Sequence, residues 1–143
     1  MEKEKIFFVR CRGIILHEGK MLVVKHSENA DYYALPGGGL EWGENPIACM
    51  TREIVEELGI APTVGPLLYV HSWTDKEKQH IEFFFQIENA VAYLDTAKLR
   101  GTHSSEIFEI RWAEPSERLN ILPPAFGEDF NTGKLNRGGV KFI

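Results

Sequence analysis

Cysteine is scarce in this chain of 143 residues: Cys11 and Cys49 are the two. Two cysteines build no disulfide framework, which excludes the small stapled secreted class and suits a reducing compartment, so a cytoplasmic location is expected. Long apolar runs are lacking too; nothing approaches the roughly 20 residues that a membrane-spanning helix needs. The start, Met1-Glu2-Lys3-Glu4-Lys5, is charged and carries no apolar signal segment. Basic residues are in the minority, 16 Lys and Arg against 21 Asp and Glu, a formal net charge of -5. That balance excludes tracking along a long nucleic acid, which demands basic patches. It does not exclude nucleotides, because cations can bridge two anionic parties. Repeats, linkers and shifts of composition are absent, so residues 1–143 are expected to form a single domain, as a monomer or homodimer, with a nucleotide-type small molecule as partner and no membrane.

What is present in excess is acid, concentrated in one place. Gly38-Gly39-Leu40-Glu41-Trp42-Gly43-Glu44 is followed by Arg52-Glu53-Ile54-Val55-Glu56-Glu57-Leu58-Gly59-Ile60. Asn45 suits an N-cap, Pro46 the first helical position and Gly59 the residue just past the end, which predicts a helix over 46–58. On that helix Glu53, Glu56 and Glu57 lie at i, i+3 and i+4 and share a face. Ile47, Ala48, Ile54, Val55 and Leu58 are expected on the core side. Three like charges on one face weaken a helix unless something positive sits among them. Mg²⁺ or Mn²⁺ fits: hard cations that take oxygen ligands and leave coordination positions for a substrate phosphate. Gly37, Gly38 and Gly39 let the backbone approach such a cation or a phosphate closely. A lone acidic helix would read more simply as a solvated face. Cys49, one turn before Glu53, reads as a small packed residue, since a thiolate does not suit Mg²⁺.

The spacing of the whole segment changes that balance. A glycine, five residues, Glu44, seven residues, Arg52-Glu53, an aliphatic, any residue, Glu56-Glu57, any residue, Gly59 and an aliphatic resemble the Nudix box, with every fixed position filled from Gly38 to Ile60. The resemblance implies an α/β fold, the Nudix α/β/α sandwich with a mixed β-sheet. It implies a hydrolase that uses Mg²⁺ or Mn²⁺ to cleave a diphosphate bond in a nucleoside diphosphate derivative. In such a site the metals are held by residues matching Glu53, Glu56 and Glu57, with a backbone carbonyl matching Gly37. Arg52 pairs with a box glutamate and orients it, and Glu44 supports. The general base is either a box glutamate or a glutamate from a later loop. Glu106, in the polar run His103-Ser104-Ser105-Glu106, is the later-loop candidate, and Glu109 competes with it. His71, His80 and His103 are further candidates of lower weight. A Nudix-like nucleotide sensor without turnover is the alternative function, and an acidic helix in an unrelated α/β domain a third.

Elsewhere the pattern is of strands over 6–16, 21–25, 64–73, 80–87 and 108–113, with turns at 17–20 and 74–78. Pro115 opens a short helical stretch to 119, a short helix is expected near 125–130, and the glycine-rich 131–143 carries no clear element. Nucleoside triphosphates, oxidised nucleotides and nucleotide sugars all stay open as substrates, since the markers of the ADP-ribose, dinucleoside polyphosphate and coenzyme A subgroups are not filled. Tyr32, Tyr33, Trp73, Phe83, Phe85 and Phe126 are the aromatics available to stack a base, and strand alternation sends Phe84 to the opposite face from Phe83 and Phe85.

Overall fold

The computed structural model describes residues 4–143. Met1, Glu2 and Lys3 of the charged start lie outside the described residues. Strands β1 (Ile6–Ile14), β2 (Leu16–His17), β3 (Lys20–Lys25) and β4 (Gly37–Gly39) precede helix α1 (Pro46–Leu58). Strands β5 (Val64–Thr74), β6 (Lys78–Ile87) and β7 (Glu109–Ala113), helix α2 (Pro124–Asn131) and strand β8 (Lys141–Phe142) follow. Five strands form one sheet in the order β4-β1-β6-β5-β8, and three form a second in the order β2-β3-β7. The larger sheet is mixed. β1 runs parallel to β6 and antiparallel to β4, β5 and β6 make an antiparallel hairpin, and β8 lies parallel to β5.

Each sheet sends buried side chains from both faces, and alternation sorts them. On β3, Leu22 and Val24 enter the core under α1 with Ile54 and Leu58, whereas Met21 and Val23 enter the core under α2 with Phe126 and Phe130. On β6, Phe85 goes to the first core and Phe84 to the second. Helices therefore cover opposite faces of the sheets, the expected α/β/α layering. Among the described residues no helix is long and apolar enough to cross a membrane.

Helix α1 has the expected ends. The Asn45 side chain accepts from the Ala48 N–H at 2.9 Å, and Gly59 takes the left-handed φ of 80° that closes the helix onto Val55 O. Its buried face differs from expectation. Cys49, Met50, Ile54, Glu57 and Leu58 are inward, while Ala48 is exposed and Ile47 and Val55 are 57% and 39% exposed. Residue 55 lies about 100° round from 54, and the sheet took the stripe centred on 50, 54 and 57/58. The glycines 37–39, expected as a turn, form a strand on β1. The stretch at 90–98 holds two short 3₁₀ turns that the sequence did not signal, and the unassigned C-terminal segment supplies β8.

Candidate active site

Strand β4 sets the site against α1. Its register places Gly37 opposite Arg12 and Gly38 opposite Cys11. Gly37 has φ +147°, and a Cβ there would lie 1.9 Å from Cys11 O; a Cβ on Gly38 would lie 2.5 Å from the Glu53 carboxyl carbon. Only glycine lets this strand run so close to the acidic face of the helix.

Glu57 points inward beneath that strand. It is 5% exposed, its Oε1 accepts the Gly37 N–H at 3.1 Å, and its Oε2 is buried with no hydrogen-bond partner. Burial pushes its carboxyl up to about 8; the Gly37 N–H and the charge of Arg12 oppose that rise, and Glu53 and Glu106 add to it. A buried acid with one unsatisfied oxygen is rare, and a hard cation is a group that would satisfy it.

Glu53 and Glu56 sit closer to solvent, gathered by Arg52. The guanidinium donates from Nη1 to Glu53 Oε1 at 2.9 Å and to Glu56 Oε2 at 3.2 Å. Glu44 grips the other edge in a two-pronged pair, Nε to Oε2 at 2.8 Å and Nη2 to Oε1 at 2.9 Å, and Nη2 also reaches the Gly39 carbonyl at 2.8 Å. Its hydrogen bonds to Arg52 hold the Glu44 carboxyl down at about 2. Glu44 thus fixes Arg52, and Arg52 fixes two helix carboxylates and the glycine strand together. The positive group among the acids is this arginine. Among the described residues no group of three acidic, histidine or cysteine side chains stands in a ready-made metal arrangement. Cys49 is buried, its thiol donating to Gly38 O at 3.7 Å; the contact with the Cys11 thiol and burial push its ionisation up, as suits a packed residue.

The loop that carries Glu106 is bolted to the end of α1. His103 N donates to Glu56 O at 2.7 Å, and the Ser104 hydroxyl donates to Glu57 O at 3.1 Å while accepting from Gly101 N at 2.6 Å. Glu106 ends the single 3₁₀ turn Ser104–Glu106; its backbone carbonyl accepts from His26 Nδ1 at 3.1 Å, and its side chain is exposed, near enough for its charge to act on Glu57. Glu109 is engaged elsewhere, accepting the Tyr33 hydroxyl. His103 Nδ1 lies 3.2 Å from Glu56 Oε2, beside the acids, whereas His71 and His80 belong to a separate cleft with Glu82 and Asp75.

Tyr32 and Trp73 line that cleft. Tyr33 is tied to Glu109, and Phe83, Phe85 and Phe126 pack in the cores, so four of the six aromatics expected as base platforms do not serve. Arg12 is a site residue that sequence reasoning missed. It pairs with Glu82 (Nε to Oε2, 3.0 Å) and donates from Nη1 to the carbonyls of Leu35 and Gly37, both at 3.3 Å. Its signal was present as Arg10-x-Arg12, two cations on one face of an otherwise apolar strand.

A family model described as NUDIX domain matches residues 8–129. The ADP-ribose pyrophosphatase of Methanocaldococcus jannaschii is 42% identical over 71 residues, 48% of this chain, and the match spans only 42% of that protein's length. Phosphatase NudJ of Escherichia coli is 30% identical over 120 residues, 80% of this chain and 75% of that protein. The solution structure of the E. coli ORF135 protein shares the fold, with a TM-score of 0.69 at 23% identity over 90% of this chain and 91% of that one.

Proposed function

The chain belongs to the NUDIX domain family and is a Nudix hydrolase, and from that premise we propose that it is a pyrophosphohydrolase dependent on Mg²⁺ or Mn²⁺. Its substrate is a nucleoside diphosphate derivative: a nucleoside triphosphate, an oxidised nucleotide or a nucleotide sugar, with ADP-ribose added by the name of one relative. The observation that carries this reading is Glu57, a buried carboxyl with one oxygen unpartnered, under a glycine strand and beside Glu53 and Glu56.

The donor set fits a hard divalent cation: carboxylate oxygens of Glu53, Glu56 and Glu57, and the Gly37 carbonyl. When bound, such a cation supplies Lewis acidity, lowers the pKa of water and offsets phosphate charge. The chain's own residues do the rest. Arg52, held by Glu44, keeps Glu53 and Glu56 aimed together. Gly38 and Gly39 let the diphosphate approach the backbone. Glu106 takes the proton from the attacking water as its oxygen bonds to phosphorus and the bridging P–O bond breaks. Glu109 is a poor rival for that role while it accepts the Tyr33 hydroxyl. The test is a turnover screen of these nucleotides with Mg²⁺ and Mn²⁺, scored by phosphate released with a coupled phosphatase, against the same reactions in excess chelator. Activity in chelator would overturn the metal reading. Binding without turnover of any substrate would point to a sensor.

A further inference from the structure

Strands β1, β6 and β5 lie side by side, and their register aligns residues in rows across all three. The rows are Phe8, His80 and Trp73; then Arg10, Glu82 and His71; then Arg12, Phe84 and Tyr69. Alternation puts all nine on one face of the sheet. The last row runs into the core, where Phe84 and Tyr69 meet Phe126. The first row closes as a ladder of rings: His80 stacks on Trp73 at 3.8 Å and 2°, and on Phe8 at 5.6 Å and 17°. Between them opens a cleft of about 510 Å³, walled opposite by Tyr32 and by Leu122, Pro123 and Pro124. It begins where the diphosphate site ends, since Arg12 on its floor holds the Gly37 carbonyl.

The polar groups of this cleft are not balanced. Each Glu82 oxygen has a donor: Oε2 takes Arg12 Nε at 3.0 Å, and Oε1 takes His71 Nδ1 at 3.4 Å. Arg10 Nη1 donates to His80 Nδ1 at 3.0 Å. Arginine can only donate, so His80 carries its hydrogen on Nε2, which faces Asp75 Oδ2 at 3.3 Å. The Arg10 side chain makes no other hydrogen bond and pairs with no carboxylate among the described residues; its guanidinium lies over the Phe8 ring, 5.5 Å from the centroid. The cleft thus offers donors in a planar fork at Arg10, while each Glu82 oxygen already has a donor and His71, donating from Nδ1, keeps Nε2 as an acceptor. Flat apolar walls of tyrosine, tryptophan and proline favour a flat ring as the occupant. A planar guanidinium meets the two adjacent acceptors of a 6-oxopurine, the O6 and N7 atoms, but meets a donor in place of O6 on adenine. Of the two arginines Arg12 is neutralised by Glu82, which leaves Arg10 to meet the occupant.

We propose that this cleft seats the base of the nucleotide substrate and that Arg10 selects a 6-oxopurine over adenine. The inference rests on the hydrolase reading for its substrate, but binding tests it separately. Inosine triphosphate and ATP differ in the purine ring at position 6, oxo against amino, and in the hydrogen that the 6-oxo form carries on the adjoining N1. We expect kcat/KM for inosine triphosphate to exceed that for ATP by at least about tenfold, and Arg10→Met to bring the ratio within about twofold, chiefly through KM. Arg10→Lys, which keeps the charge and loses the fork, should lower the ratio too, and it carries the test if Arg10→Met does not fold. In parallel, binding of the non-hydrolysable α,β-methylene analogues of both nucleotides is followed by calorimetry. Turnover with no preference between the two bases would overturn the inference and leave the hydrolase reading standing. Absent turnover with selective, Arg10-dependent binding would support the inference and remove the hydrolase reading. A preference that survives in both variants, an equal salt-sensitive loss for both nucleotides, or no binding of either analogue would each overturn it.

Discussion

Replacing Glu57 by glutamine should stabilise the metal-free protein above neutral pH while removing its activity. The wild-type carboxyl titrates at about 8 when folded against an ordinary value of 4.5. Between those values the folded chain keeps a proton that the unfolded chain has released, so folding stability falls as pH rises from about 4.5 and levels off above about 8. A displacement of roughly 3.5 units corresponds to about 5 kcal/mol at 1.36 kcal/mol per unit, an upper bound for a nearly buried group. Glutamine keeps an acceptor for the Gly37 N–H, but its amide N–H₂ lands where Oε2 already lacks a partner, which costs about 1–3 kcal/mol. The net gain above pH 8 is then about 2–4 kcal/mol, or roughly 5–12 °C in Tm for a chain of this size. Thermal melts of both proteins in chelator from pH 5 to 9 measure it. We expect a gap near zero or slightly negative at pH 5 that opens in favour of Glu57→Gln through pH 7 and is constant beyond pH 8–9. Millimolar Mg²⁺ should close it by stabilising the wild type alone. A gap that stays within 1 °C of its pH 5 value throughout would refute the assignment of Glu57 as a buried, uncompensated acid. In turnover the same substitution should lower kcat on the order of a thousandfold, about 4 kcal/mol of barrier.

Arg52→Lys keeps a positive charge but not the planar fork that joins Glu44, Glu53, Glu56 and the Gly39 carbonyl. It should cost about ten- to a hundredfold in kcat with an unchanged circular dichroism spectrum, and wild-type rates would reduce the arginine to a surface charge. Glu106→Gln should lose most turnover and the acidic limb of the pH–rate profile at saturating Mg²⁺, while Glu109→Gln keeps both; a Glu106→Gln enzyme within twofold of wild type returns the base to Glu53 or Glu56. Gly38→Ala places a Cβ 2.5 Å from the Glu53 carboxyl carbon and must push that carboxylate aside. Calorimetric Mg²⁺ affinity should fall by about tenfold with the fold retained, and unchanged affinity would show that Glu53 is no ligand held in place by this glycine.

Much of this protein is local, and the local part was legible in its sequence. Caps, helix length and the i, i+3, i+4 carboxylates depend on neighbours within a few residues, so Asn45, Gly59 and the span of α1 were readable directly. Strand alternation likewise sorted Phe84 from Phe83 and Phe85. What the tertiary structure alone decided is which side of each element meets which partner. Helical periodicity defines a stripe but not its rotation against a sheet, and so Ile47 and Val55 turned outward while Glu57 turned inward. That rotation gives three glutamates of one motif different environments, one buried and two gathered by Arg52. The base cleft is more remote still from local reasoning. Arg10, Glu82 and His71 come into one row because β1 lies parallel to β6 and β6 antiparallel to β5, a register between strands about 70 residues apart that no short window of sequence contains.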